Sequence, residues 1–144
     1  MKGDPIPGSD HIARYVPPSR IATDGRITGA AFELKEKPGR LEEHLSANWL
    51  EYLRLSHRTT EMAELCHVLR QDLTLSKNGR IAVLQVEQVK KHVRSESGRV
   101  LRIIHLEKQH DPSYSGIFEM SPEHMMIAEL IAQVVLETHP VVNS

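Results

Sequence analysis

Arg80-Ile81-Ala82-Val83-Leu84-Gln85-Val86, then Glu87 to Val93, then Arg99-Val100-Leu101-Arg102-Ile103-Ile104-His105-Leu106: this stretch decides the fold. The first piece is a short apolar run rich in β-branched residues and reads as a buried strand. The second is short and basic and reads as a helix, Ser95 to Gly98 turns the chain, and the third reads as another strand. A β, short α, β order whose strands need cover from helices points to an α+β fold.

Working outward toward the N-terminus, Asn78-Gly79 is a hairpin signal that predicts Leu73-Thr74-Leu75 and Arg80 to Val86 as its two arms. Before it, Met62, Leu65, Leu69 and Leu73 share one face of a predicted helix over Thr60 to Leu73, with Cys66 and Val68 beside them and Glu61 and Glu64 near its positive end. His11 to Val16 reads as a short strand stopped by Pro17 and Pro18, with one helical turn over 17–21. Asp24-Gly25 turns the chain into a second predicted strand from Arg26 to Leu34, and Lys35 to Glu43, carrying Pro38-Gly39, reads as a solvated loop. Toward the C-terminus, Ser121 as N-cap and Pro122 at the first helical position predict a strongly apolar helix running through Ile127 and Ile131 to Val135, ended by His139-Pro140. Residues 1–10, with two prolines and two glycines, read as an irregular lead-in. The expectation is one α+β domain over 1–144, a small mixed or mainly antiparallel sheet packed by two main amphipathic helices.

The 144 residues, 40% hydrophobic and 26% charged with net charge -1, have ordinary globular composition. No apolar run approaches the roughly 20 residues needed to cross a bilayer, and the first residues lack the apolar core of a signal peptide, so the expectation is a cytoplasmic protein without a membrane partner. Cys66 is the only cysteine, which removes an internal disulfide and a cysteine zinc site. A near-neutral balance disfavours non-specific DNA coating. Neither a Gly-x-Gly-x-x-Gly nor a Gly-Lys-Ser/Thr phosphate loop is present, so no cofactor follows from a motif.

Three polar groups stand out. Asp10-His11 with Arg14 and Tyr15 supplies an acid/base and a cation, although on an edge strand His11 and Arg14 would face solvent. Ser46, Asn48 and Glu51 surround Trp49, where the alternative is a serine N-cap opening a helix with Trp49, Leu50 and Leu53 inward. His105 is followed by His110-Asp111-Pro112-Ser113-Tyr114-Ser115-Gly116, a polar loop of the kind that rigid elements hold for binding. Its histidines and Asp111 have no established metal spacing, and no metal site is expected. Arg80, Arg99 and Arg102 near strand ends suit carboxylate or phosphate, or else pair with surface acids.

The phrases Gly3-Asp4-Pro5-Ile6-Pro7, Asp10-His11 to Arg14-Tyr15, Ser46-Ala47-Asn48-Trp49-Leu50-Glu51, Asn78-Gly79-Arg80-Ile81-Ala82-Val83-Leu84 and His110-Asp111-Pro112-Ser113-Tyr114-Ser115-Gly116-Ile117 resemble a family of small, uncharacterised bacterial proteins. The resemblance carries no activity with it.

From the residues, the leading expectation is a binding or accessory protein for an anionic ligand or a protein partner. Its predicted binding set is Arg14, Asn48, Arg80, Arg102, His110, Asp111, Ser113 and Ser115. The alternative is a small enzyme acting on RNA or a nucleotide, by metal-independent phosphodiester cleavage or an ADP-ribosyl-transfer-like reaction, with His11, Glu51 and His105 as its candidate catalytic groups.

Overall fold

A computed structural model describes residues 3–143. The strands are β1 (His11–Val16), β2 (Glu36–Lys37), β3 (Arg40–Leu41), β4 (His44–Trp49), β5 (Arg80–Gln85), β6 (Arg102–His105), β7 (Tyr114–Phe118) and β8 (Glu137–Pro140), and the helices are α1 (Arg58–Leu69), α2 (Val86–Ser97) and α3 (His124–Ala132). Six strands form one sheet in the order β6-β7-β4-β1-β5-β8, and β2 and β3 form a separate ribbon. Every strand pairing among the described residues is antiparallel. The fold is α+β, as expected.

Side chains alternate across a strand, and β5 shows what that alternation does here. Ala82 and Leu84 join the larger core with Val86, Val89 and Val93 of α2 and Ile127, Ala128 and Ile131 of α3. Ile81 and Val83 join a second core with Met62, Leu65 and Cys66 of α1. The sheet is therefore covered on both faces, α2 and α3 on one and α1 on the other. Gly29 makes the first face possible, because a β-carbon there would stand 3.1 Å from the Glu129 Cα of α3.

The register decides where the sheet opens. β1 pairs with β5 along its whole length, from His11 opposite Gln85 to Val16 opposite Arg80. Against β4 it pairs only at Ile12 opposite Trp49 and Ala13 opposite Asn48, while β4 continues on its other side against β7 as far as His44 opposite Phe118. Beyond Ala13 the two central strands part.

Several expectations fail, each for a physical reason. Arg26 to Leu34 is no strand: Gly29–Phe32 is a 3-10 turn pressed against α3, so burial came from a helix rather than a ladder. The Asn78-Gly79 hairpin does not form, since β5 takes β1 and β8 as partners and Leu73 to Leu75 is irregular. Lys35 to Glu43 is not wholly loop, because Pro38-Gly39 closes the β2–β3 ribbon with Gly39 at φ 83°. Ser46 caps no helix: it lies inside β4, a strand between β1 and β7. Tyr114 to Gly116 of the predicted polar loop belong to β7. Ser121 precedes α3 without capping it, and the helix ends at Ala132, so that Glu137 to Pro140 returns as β8. The lead-in is irregular but docked: the N–H of Ile6 donates to the Ile103 carbonyl at 3.0 Å and that of His105 to the Asp4 carbonyl at 2.9 Å, covering the β6 edge. The predicted short helix is longer than expected: α2 runs four residues beyond its predicted end at Val93.

Candidate functional site

Where β1 and β4 part, the sheet opens into a cleft of about 200 Å³ lined by Arg14 and Tyr15 of β1, Ser46 and Asn48 of β4, Arg20, Lys35, and the apolar Pro17, Leu69 and Leu73. The carbonyl of Ser46 lies beyond the register that β1 and β4 share, and Arg14 takes it: Nη1 donates to the Ser46 carbonyl at 2.8 Å and to Ser46 Oγ at 2.9 Å. Arg14 Nε donates to the Ala31 carbonyl at 2.8 Å, and Arg20 Nη1 donates to the adjacent carbonyl of Ala30. Two guanidiniums thus hang from neighbouring peptide groups of one turn.

Among the described residues no carboxylate lines the cleft, and neither arginine nor Lys35 forms an ion pair. Burial pulls the Arg14 guanidinium down to about 10; Glu42 opposes that shift without reaching ion-pair distance, and Arg20 adds to it by like-charge repulsion. Arg14 remains charged at neutral pH. Its Nη2, and the Nε and Nη2 of Arg20, donate to nothing among the described residues. Tyr15 is held as a wall: its hydroxyl accepts the Ser76 N–H at 2.9 Å, and a β-carbon on Gly79 would meet its ring at 2.6 Å.

Of the predicted site residues, Arg14 and Asn48 line this cleft. Asn48 is buried, and its Nδ2 donates to both Asp111 oxygens at 2.7 and 3.0 Å and to Ser113 Oγ at 2.9 Å. Asp111 and Ser113 are thereby satisfied inside the protein, and Ser115, also buried, donates to the Ser113 carbonyl at 2.9 Å. Arg80 opens β5 opposite Val16, at the cleft end of the strand but outside the cleft lining, and is bonded to Thr138 of β8. Arg102 is exposed and paired with Glu119 at 2.9 Å, and His110 is exposed outside the cleft lining.

The closed end of β1 holds the second group, and β1 is a central strand, not the edge strand that would leave His11 and Arg14 to solvent. Glu51 clamps His11 twice, accepting its backbone N–H at 2.7 Å and its Nδ1–H at 2.6 Å, which leaves Nε2 as the free acceptor. His105 is buried against the Trp49 and Tyr52 rings, at centroid distances of 5.3 and 4.8 Å. Its Nε2–H donates to the Pro112 carbonyl at 2.6 Å, and its buried Nδ1 has no partner. Trp49 Nε1 donates to Asp10 at 2.9 Å. The structure joins His11 to Glu51, seats His105 against Tyr52, the residue after Glu51, and leaves Arg80 away from both.

Sequence reasoning missed Arg20 and Lys35. Arg20 sits six residues after Arg14 across Pro17-Pro18, and only the 3-10 turn at Gly29–Phe32 brings the two together; no periodicity encodes that. Among the described residues no cluster of three side chains is arranged to hold a metal ion, and no helix is long and apolar enough to cross a membrane. No protein-family model, curated protein or solved structure matches the chain.

Proposed function

We propose that this is a cytosolic bacterial binding or accessory protein that takes a small anionic ligand in the β1–β4 cleft. One observation carries the reading: Arg14 and Arg20 hang side by side from the carbonyls of Ala31 and Ala30, without a carboxylate partner among the described residues, in a cleft lined by a third cation. Like charges held together cost free energy that an anion would return, and guanidiniums with spare donors are suited to bidentate capture. The bacterial source rests on the resemblance noted above, and the cytosolic placement on the absence of disulfide chemistry and of a long apolar run.

The test is thermal unfolding and calorimetry with phosphate, sulfate and acetate. An anion at ten times its dissociation constant adds about 1.4 kcal/mol to stability. Phosphate and sulfate also stabilise proteins by exclusion, so the deciding comparison is Arg20→Met, which should lose the specific part. Equal stabilisation of the parent and the variant sinks the proposal.

A second reading, an enzyme acting on RNA or a nucleotide, draws on the Glu51 clamp. A carboxylate fixing Nδ1 with Nε2 open is the arrangement a general base requires. Arg14 follows His11 by three strand residues, about 10 Å, so a ligand in the cleft would have to extend along β1 to reach it. RNA or NAD turned over without added metal, and lost in both His11→Gln and Glu51→Gln, would establish this reading; no turnover would remove it.

A further inference from the structure

The cleft has two unlike walls, and the contrast names a ligand class. We infer that its ligand is a phosphate monoester carrying one flat apolar group, with the phosphate between Arg14, Arg20 and Lys35 and the apolar group between Tyr15 and Leu73. This rests on the cleft being an anion site and adds the chemistry of both halves.

Charge favours phosphate over carboxylate. Among the described residues three cations line the cleft and no acid does, with Glu42 beyond ion-pair range. A phosphate monoester brings about -1.5 to -2 charge and three terminal oxygens, whereas a carboxylate brings one charge and two. The donors match the larger count, since Arg14 Nη2, Arg20 Nε and Nη2 and the Lys35 ammonium are all unclaimed among the described residues. Two of the anchors are fixed, because each arginine spends one or more donors on a carbonyl and so stands preorganised.

The opposite wall favours an ester over the free ion. Leu73 leaves 45% of its surface exposed, the Tyr15 ring is pinned between Gly79 and the Ser76 N–H, and both border the same cleft. Hydrated inorganic phosphate would leave that surface wet, whereas a ring would cover it. The volume, about 200 Å³, is below the roughly 300–1,000 Å³ of sites that enclose drug-sized ligands. That suits a phosphate and one ring and is too small for a dinucleotide.

Calorimetry on the full chain with inorganic phosphate, phenyl phosphate and benzoate tests both halves. Phenyl phosphate should bind about tenfold more tightly than inorganic phosphate, the return for covering one ring face. It should also bind more tightly than benzoate, which has the ring but a single charge. Leu73→Ser, a change at an exposed residue, should remove the advantage of phenyl phosphate and leave inorganic phosphate unchanged. Arg20→Met should weaken both phosphates. A phosphotyrosine peptide run beside phenyl phosphate assigns the source, since tighter binding of the peptide marks a protein-borne phosphate and tighter binding of the free ester a metabolite. Inorganic phosphate binding as tightly as phenyl phosphate, or benzoate matching it, overturns the ester class while the anion cleft stands. Failure of every anion to bind, with Arg20→Met indistinguishable from the parent, overturns the anion cleft as well.

Discussion

Arg58 and the pair Arg14–Arg20 are chemical opposites within one small molecule. Arg58, at the start of α1, reaches Glu61 at 2.7 Å and Glu137 at 3.0 Å, and although burial works against its charge, these two carboxylates raise its pKa. Arg14 is driven down to about 10 by burial, and it and Arg20 rest on backbone carbonyls instead of acids. The first arrangement spends its charge on joining α1 to β8. The second leaves two guanidiniums in a cleft with no ion pair among the described residues, Glu42 offsetting Arg14 only from beyond ion-pair distance. The lesson is that an arginine's partners, more than its burial, separate a structural cation from one kept for binding.

Removing Arg58 should produce the largest effect. Arg58→Met leaves Glu61, whose side chain is only 8% exposed, without its cation, and it unties Glu137 of β8. Breaking a fully buried pair costs roughly 3–5 kcal/mol; with Arg58 itself 27% exposed, the expected loss in urea unfolding is about 2 kcal/mol, with anion binding unchanged. Gly79→Ala comes next. Its β-carbon would stand 2.6 Å from the Tyr15 ring and 2.8 Å from the Val16 carbonyl, so the strain of overpacking should cost about 1–2 kcal/mol. Because Tyr15 is the wall that must move, phenyl phosphate should also bind more weakly, which makes this substitution register on both sides of the comparison. Arg20→Met should change stability by no more than about 0.5 kcal/mol while weakening anion binding. A loss of stability as large as that of Arg58→Met would mean that Arg20 is structural, and the contrast would collapse.

What the sequence disclosed follows the same division. The β5, α2, β6 succession was legible because Ile81 to Leu84 and Ile103 carry their burial in local pattern, and α1 was legible from Met62 and Leu65. The α3 helix was legible in existence but overextended, since Val134 and Val135 look like more helix until β5 claims Glu137 to Pro140 as a partner. β4 and β7 were hidden because Asn48, Ser113 and Ser115 are polar yet buried: Ser115 is satisfied locally by the Ser113 carbonyl, but Asn48 is satisfied by Asp111 and Ser113, 63 and 65 residues away, which no local pattern encodes. His11 with Glu51, and Arg14 with Asn48, could be nominated by residue type. The companionship of Arg14 and Arg20 could not, because it depends on the turn at Gly29–Phe32, a stretch whose residues carry a strand pattern.

The smallest effect is a pH dependence on the Arg58 side. Burial pushes the Glu137 carboxyl up, but hydrogen bonds from His139 at 2.7 Å and from Arg58 outweigh it and hold the group below its ordinary 4.5. A carboxyl lowered on folding binds its proton more readily in the unfolded chain, so its stabilising contribution is complete above pH 4.5 and is lost as the pH falls through its folded value. Urea unfolding followed from pH 6 toward pH 3 should therefore show stability falling at the acid end, and Glu137→Gln should make that fall shallower. Glu137 is 34% exposed and screened by solvent, which keeps the difference small. Arg20→Met should leave the slope untouched, because no carboxylate pairs with Arg20 among the described residues. If the Arg20 and Glu137 variants flatten the acid limb alike, an acid is serving the cleft arginines too, and the distinction between spent and spare charge fails at its most sensitive point.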